Sequence, residues 1–97
     1  MSDVVIRPLR SQADFAACVA LQRETWGADF DEVVPPAILN VVQRVGGVAA
    51  GAFDAEGRLA GFVFGITGVE DGRVVHWSDM LAVRHDLRDA GLCRRLK

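Results

Sequence analysis

The chain has 97 residues, 51% of them hydrophobic and 25% charged, and a formal charge of −2 from 11 Lys and Arg against 13 Asp and Glu. That length makes one domain at most, burying roughly 60–70% of the unfolded surface, and the acidic balance gives no reason to expect a nucleic-acid partner. No apolar run approaches a membrane span, no basic-then-apolar leader opens the chain, and Cys18 and Cys93 stand singly without metal-type spacing, so the expectation is a soluble, cytoplasmic protein with reduced thiols and no metal.

Asp3 to Leu9, with Val4, Val5 and Ile6 in succession, reads as a first strand ended by Arg7-Pro8. Ser11 then caps a helix, and Asp14 three residues on completes a capping box. Phe15, Cys18, Val19 and Leu21 form the apolar side of that helix, Gln22 interrupts the stripe, and Gly27 after Trp26 is the available terminator. Gly27 to Val34 is a loop carrying Asp29, Asp31 and Glu32, and Pro35-Pro36 forces an extended step before a second helix begins at Pro36. Ile38, Val41, Val42 and Val45 recur at i, i+3, i+4 and i+7, which predicts one buried face closed by Gly46-Gly47.

From Val48 the period changes to two. Val48 to Phe53 and Arg58 to Ile66 read as strands joined by the turn Asp54-Ala55-Glu56-Gly57. Ala60, Phe62, Phe64 and Ile66 fall on one face of the second of these strands and Leu59, Gly61, Val63 and Gly65 on the other; neither face is polar, so helices are expected on both sides of the sheet. Thr67 to Gly72 is a further turn. Arg73 to Val83 is the next strand, with Trp77, Asp79, Leu81 and Val83 on one face and His76, Ser78, Met80 and Ala82 on the other. A charged turn then leads into Arg88-Asp89-Ala90-Gly91-Leu92-Cys93 and the opening of a helix. A strand that feeds a helix through a glycine turn aims several backbone N–H groups at one spot, where the helix dipole adds partial positive charge. Arg84, Arg88, Arg94, Arg95 and Lys97 crowd the same end, and the spot suits a phosphate.

Met80-Leu81-Ala82-Val83, the step to Arg88, and the run Arg88-x-x-Gly91-x-Cys93 resemble the acyl-coenzyme A signature of the GNAT acetyltransferase superfamily, Gln/Arg-x-x-Gly-x-Gly/Ala, from which Cys93 departs. The resemblance implies an α/β (α+β) fold for a single domain over residues 1–97: the N-terminal half of a GNAT-like acyl-CoA N-acyltransferase, ordered β-α-α-β-β-β-α with a mostly antiparallel sheet and without the family's C-terminal strands and helix. It implies acetyl-CoA as co-substrate, with the main chain of Leu81, Ala82 and Val83 pairing with pantetheine. The N–H groups of Arg88, Asp89, Ala90, Gly91, Leu92 and Cys93 would cradle the pyrophosphate. The activity implied is N-acetyl transfer to an amine acceptor of unidentified structure, met in part by Glu24, Trp26 and Asp29 between the two helices.

On the same resemblance Asp79 is the carboxylate that takes the amine proton, directly or through a water, with desolvation raising its pKa. The competing reading makes Asp79 an exposed edge residue or a partner of Arg84. His76 and Ser78 read as structural, with His76 as the base the lesser alternative, Trp26 as a core anchor and Cys93 as a packing residue. The tyrosine that commonly protonates the leaving thiolate in the family has no counterpart, because the chain contains no Tyr. The rival function is a noncatalytic CoA-binding or dimerisation module built on the same half-fold. Phe62, Phe64 and Trp77 beside the fourth strand predict an apolar patch at a sheet edge, and with it a homodimer through that edge.

Overall fold

Asp71 and Gly72 both carry positive φ, 53° and 77°, the geometry of a two-residue hairpin turn that follows the natural twist of the strands it joins. The structure is a computed structural model and describes residues 4–84 and Leu96. Its elements are β1 (Val5–Pro8), α1 (Gln12–Trp26), α2 (Pro36–Arg44), β2 (Val48–Phe53), β3 (Leu59–Glu70) and β4 (Arg73–Val83). The strands lie in the order β1-β2-β3-β4, and every pairing is antiparallel. Because Asp71-Gly72 reverses the chain in two residues, Thr67 to Glu70 belong to β3 and pair with His76 to Arg73, where the sequence predicts a longer turn. The first strand is also shorter than Asp3 to Leu9: Leu9 has left the ladder but still donates its N–H to the Ala49 carbonyl at 2.9 Å, and Asp3 lies outside the described residues.

The second hairpin turns where expected, at Asp54 to Gly57. The Asp54 carboxylate accepts from the N–H groups of Glu56 at 3.0 Å and Arg58 at 2.9 Å, so the side chain does the work of a turn partner. Beyond the turn Ala60 has no partner in β2, since Phe53 faces Leu59 and Ala52 faces Gly61. This bulge breaks the alternation and corrects the predicted faces: Leu59 packs with Phe62 and Phe64, and Ala60 packs with Ala52 and Val63 on the other side.

On the first side lies the larger core, where Phe15, Cys18 and Leu21 of α1 and Leu39 of α2 meet Phe53, Phe62 and Phe64. Helix α1 has the capping box in full: Ser11 Oγ accepts from the Asp14 N–H at 3.0 Å, and Asp14 Oδ2 accepts from the Ser11 N–H at 3.3 Å. The same carboxylate accepts from Arg7 Nη1 at 2.7 Å and the Arg10 N–H at 2.9 Å. The Arg7 hydrogen bond, aided by the two backbone donors and opposed by burial, holds Asp14 well below the usual carboxylate range. Arg7 stacks 3.8 Å over the Phe53 ring on its way to Asp14, so one cation links β1, β2 and α1.

Helix α2 corrects a second expectation. Ile38, Val41 and Val45 are exposed, while Leu39 is fully buried and Val42 is partly so. Consecutive residues differ by about 100° around a helix, so the periodicity identified an apolar stripe beside the one that faces the sheet. Gln43, one turn from Leu39, helps fix that rotation by donating from Nε2 to the Leu9 carbonyl at 2.9 Å.

The opposite face of the sheet carries a smaller core of Val4, Ala52, Ala60, Val83 and Leu96, the last in helical conformation. Each face thus carries a buried cluster, and Phe62 and Phe64 are buried, which removes them from the predicted edge patch. Trp77 remains 70% exposed. Among the described residues no helix is long and apolar enough to cross a membrane.

Gln22, which interrupts the apolar stripe in the sequence, is completely buried. Its Oε1 accepts from the Val34 N–H at 2.7 Å and its Nε2 donates to the Val34 carbonyl at 3.0 Å, so the amide pins the α1–α2 connection as a strand partner would. Gln22→Leu would leave two buried backbone groups unpaired at about 1–3 kcal/mol each. The variant is expected to lose about 3 kcal/mol in urea unfolding, with a raised amide exchange rate at Val34; a loss near zero would mean that the connection is held by other contacts.

Candidate functional site

The pairing of β4 with β3 shifts at a bulge. Phe64 faces Met80 and Gly65 faces Ser78, which leaves Asp79 with no partner across the strand. On one side of this point Met80 and Ala82 pack with Phe62 and Phe64 against the helices. On the other side the alternation restarts one residue later, so Ser78 and His76 share a face with Leu81. That corrects the division predicted by uniform counting, in which His76 and Ser78 lie with Met80 and Ala82.

Val48, Val63, His76, Ser78, Leu81 and Leu96 line a cavity of about 450 Å³ on this face. Its wall is mostly aliphatic, with one hydroxyl and one imidazole, the mixture that suits a ligand with a long apolar arm and a few polar atoms. Thr67, opposite His76 in the ladder, donates its hydroxyl to the Gly46 carbonyl at 2.9 Å and lies 3.2 Å from His76 Nδ1. A Cβ on Gly65 would come within 2.6 Å of His76 Cε1 and Nε2, so the ring occupies the space that the glycine leaves open.

The predicted site residues divide into two groups. Leu81, Ala82 and Val83 are described: Leu81 lines the cavity, Ala82 is buried in the larger core and Val83 in the smaller. The Arg84 N–H donates to the Ala60 carbonyl at 2.7 Å, and Ala82 facing Phe62 stands two residues along the same ladder. In an antiparallel pair the bonded and non-bonded positions alternate, so the main-chain groups of Leu81 and Val83 turn away from β3, toward the edge that β4 forms among the described strands. Arg88, Asp89, Ala90, Gly91, Leu92 and Cys93 lie outside the described residues.

Asp79 is solvent-exposed at the bulge, without the desolvation expected for it. Arg84 extends to Asp54, with Nη1 at 3.7 Å from Oδ2. Glu24 and Trp26, expected between the helices, belong to the last turn of α1, and only Asp29 lies in the connection; Glu24 and Asp29 are exposed, and Trp26 is only partly covered, edge-on to Phe62 at 6.4 Å between ring centroids and tilted against Phe30 at 5.4 Å. Cys18 belongs to the core, where burial pushes its thiol up to about 12. It has no part in proton transfer at the cavity. Thr67, Gly46 and Gly65 were not singled out by the sequence, although the Asp71-Gly72 pair fixes a hairpin register in which Thr67 meets His76.

No protein-family model and no curated protein matches the chain. Solved structures do. The GCN5-related glucosamine N-acetyltransferase region of a fungal multi-domain GH3 β-N-acetylglucosaminidase matches 96% of this chain at a TM-score of 0.77 and 21% identity, over 11% of that protein's chain. An acetyltransferase of Trypanosoma brucei matches 97% at a TM-score of 0.74 and 23% identity. The fold is that of the GNAT acetyltransferases. A GNAT family N-acetyltransferase of Escherichia coli, solved in complex with CoA, matches 97% at a TM-score of 0.65 and 24% identity. The chain spans 69% of the Trypanosoma protein and 52% of the Escherichia protein. The described β-α-α-β-β-β order is thus a GNAT fold in part, as expected from the sequence, with the cavity beside its fourth strand.

Gly65→Ala tests the packing on this face of the GNAT sheet. The added methyl is expected to push the His76 ring away from Thr67 while β3 and β4 stay paired, because a ring at the end of a side chain yields before a ladder does. In NMR spectra the His76 ring signals should move and the strand amide pattern persist; an unmoved ring would contradict the close approach.

Proposed function

We propose that this chain is the acetyl-CoA-binding part of an N-acetyltransferase that moves an acetyl group to a primary amine. The observation that carries the reading is the outward turn of the Leu81 main chain beside an aliphatic cavity, on a GNAT fold. An extended pantetheine arm bears amide groups that can pair with such an edge as an added strand would. The Escherichia coli neighbour solved with CoA supports the choice of ligand. The turn from Arg88 to Cys93 completes the proposed site in sequence, its N–H groups receiving the pyrophosphate where Gly91 lets the chain come close.

In this reading acetyl transfer is direct: the acceptor nitrogen attacks the thioester carbonyl, the C–S bond breaks, and an amide and free CoA result. Asp79, at the bulge and open to solvent, takes the acceptor proton itself or through a water. The acceptor is an amine.

Calorimetry with acetyl-CoA and a thiol-release assay over a panel of amines test the reading together. Gly91→Val should weaken acetyl-CoA binding about 10–100-fold, the equivalent of about 1.5–3 kcal/mol of charge-assisted hydrogen bonding lost to a branched side chain. Asp79→Asn should leave that affinity in place and lower kcat about 10²-fold or more. Equal affinity for Gly91→Val and parent would remove the pyrophosphate assignment, and binding without thiol release for any amine would identify a noncatalytic module.

A further inference from the structure

We propose that His76 is a second proton acceptor of the acyl-transfer site, taking a proton from the acceptor amine at Nε2; the inference rests on the acetyl-transfer reading above. The argument starts from hydrogen-bond inventory. A threonine hydroxyl has one hydrogen, and a carbonyl oxygen only accepts. Thr67 therefore spends its hydrogen on the Gly46 carbonyl at 2.9 Å and must accept, at 3.2 Å, from His76 Nδ1. Nδ1 carries the proton, and in the neutral ring the basic lone pair is left on Nε2.

The surroundings keep that lone pair usable. The Cε1–Nε2 edge lies over Gly65, the position where a side chain would meet the ring at 2.6 Å. Nε2 has no hydrogen-bond partner among the described residues, and the ring lines the cavity with Ser78 and Leu81. A solvent-exposed ring at the cavity wall, with one nitrogen tied to a hydroxyl and the other without a partner among the described residues, is an arrangement that lets a general base hold its tautomer. Asp79, three residues on, is roughly 10 Å away along an extended strand, so the two groups accept protons independently.

The chemistry balances without a further reactant. Neutral His76 takes one proton from the acceptor ammonium and becomes imidazolium. The freed amine's lone pair forms the N–C bond to the acetyl carbon, and the C–S electron pair leaves with sulfur. The second nitrogen proton passes to Asp79, directly or through a water, and from there to the thiolate, giving amide and CoA thiol, and imidazolium returns its proton to water.

The test uses the full 97-residue chain. Nitrogen-15 ring NMR, with H76Q separating the His76 signals from those of His85, is expected to give the Nδ1–H tautomer in the parent. Thr67→Val should lose that preference and Thr67→Ser keep it. In the thiol-release assay H76Q should lower kcat about 10²-fold or more, a loss in kcat larger than any change in acetyl-CoA affinity. Thr67→Val should show a smaller loss in kcat, and Thr67→Ser should restore it. Parent-level kcat in H76Q, or the Nε2–H tautomer in the parent, would overturn the proposal and leave acetyl transfer standing. A parent that binds acetyl-CoA but releases no thiol with any amine would overturn both.

Discussion

The unpaired residue Asp79 in the β3–β4 ladder is the constraint on which the candidate site depends. Side chains alternate with a strict period of two, so a single inserted residue transfers every side chain beyond it to the opposite face. Without the insertion Ser78 and His76 would point toward the helices with Met80 and Ala82, and the cavity would lose the hydroxyl and the imidazole of its described wall. With it, the inner end of β4 packs into the larger core while the outer end faces the cavity. A bulge costs ladder hydrogen bonds, and here it sits within a long hairpin whose outer arm, from Thr67 to His76, is registered by the tight turn at Asp71-Gly72.

The helical side keeps this sheet in place with a few buried polar contacts. Arg7 joins Asp14 while lying on Phe53, and Gln22 closes on both backbone groups of Val34. Each puts a polar group where an aliphatic side chain would otherwise pack, and each satisfies groups whose isolation would cost more than the contact returns. The consequence is positional. Helix α1 is tied to β1 at its start, and the connection that leaves its end is tied back to it, so the larger core presents a firm back to β3 and β4.

What the sequence disclosed follows from how local each signal is. The capping box at Ser11 and Asp14, the helix stop at Gly27 and the turn at Asp54 to Gly57 are set by residues a few positions apart, and they formed as expected. The rotation of α2 was not legible, because Ile38, Val41 and Val45 make as good an apolar stripe as Leu39 and Val42, and only the packed sheet selects between them. Both bulges escaped for a similar reason. A strand read alone gives no sign of Ala60 or Asp79 lacking a partner, so the faces of Ala60, Ser78 and His76 came out reversed. Of the proposed site, the backbone of Leu81 to Val83 enters through the resemblance of its run to a known motif, and the structure adds only that this run forms the inner end of β4. The Thr67–His76 contact joins residues that only the hairpin register brings together.

Amide hydrogen exchange at Leu81 and Ala82, with and without CoA, measures the central claim most directly. The alternation of the ladder predicts that Ala82, bonded to β3, is protected in both states, whereas Leu81, turned to the outer edge, exchanges fast alone and becomes protected when CoA binds. Protection of Leu81 before ligand is added, or none gained once CoA has bound, would contradict the account of β4 as the strand that receives the ligand.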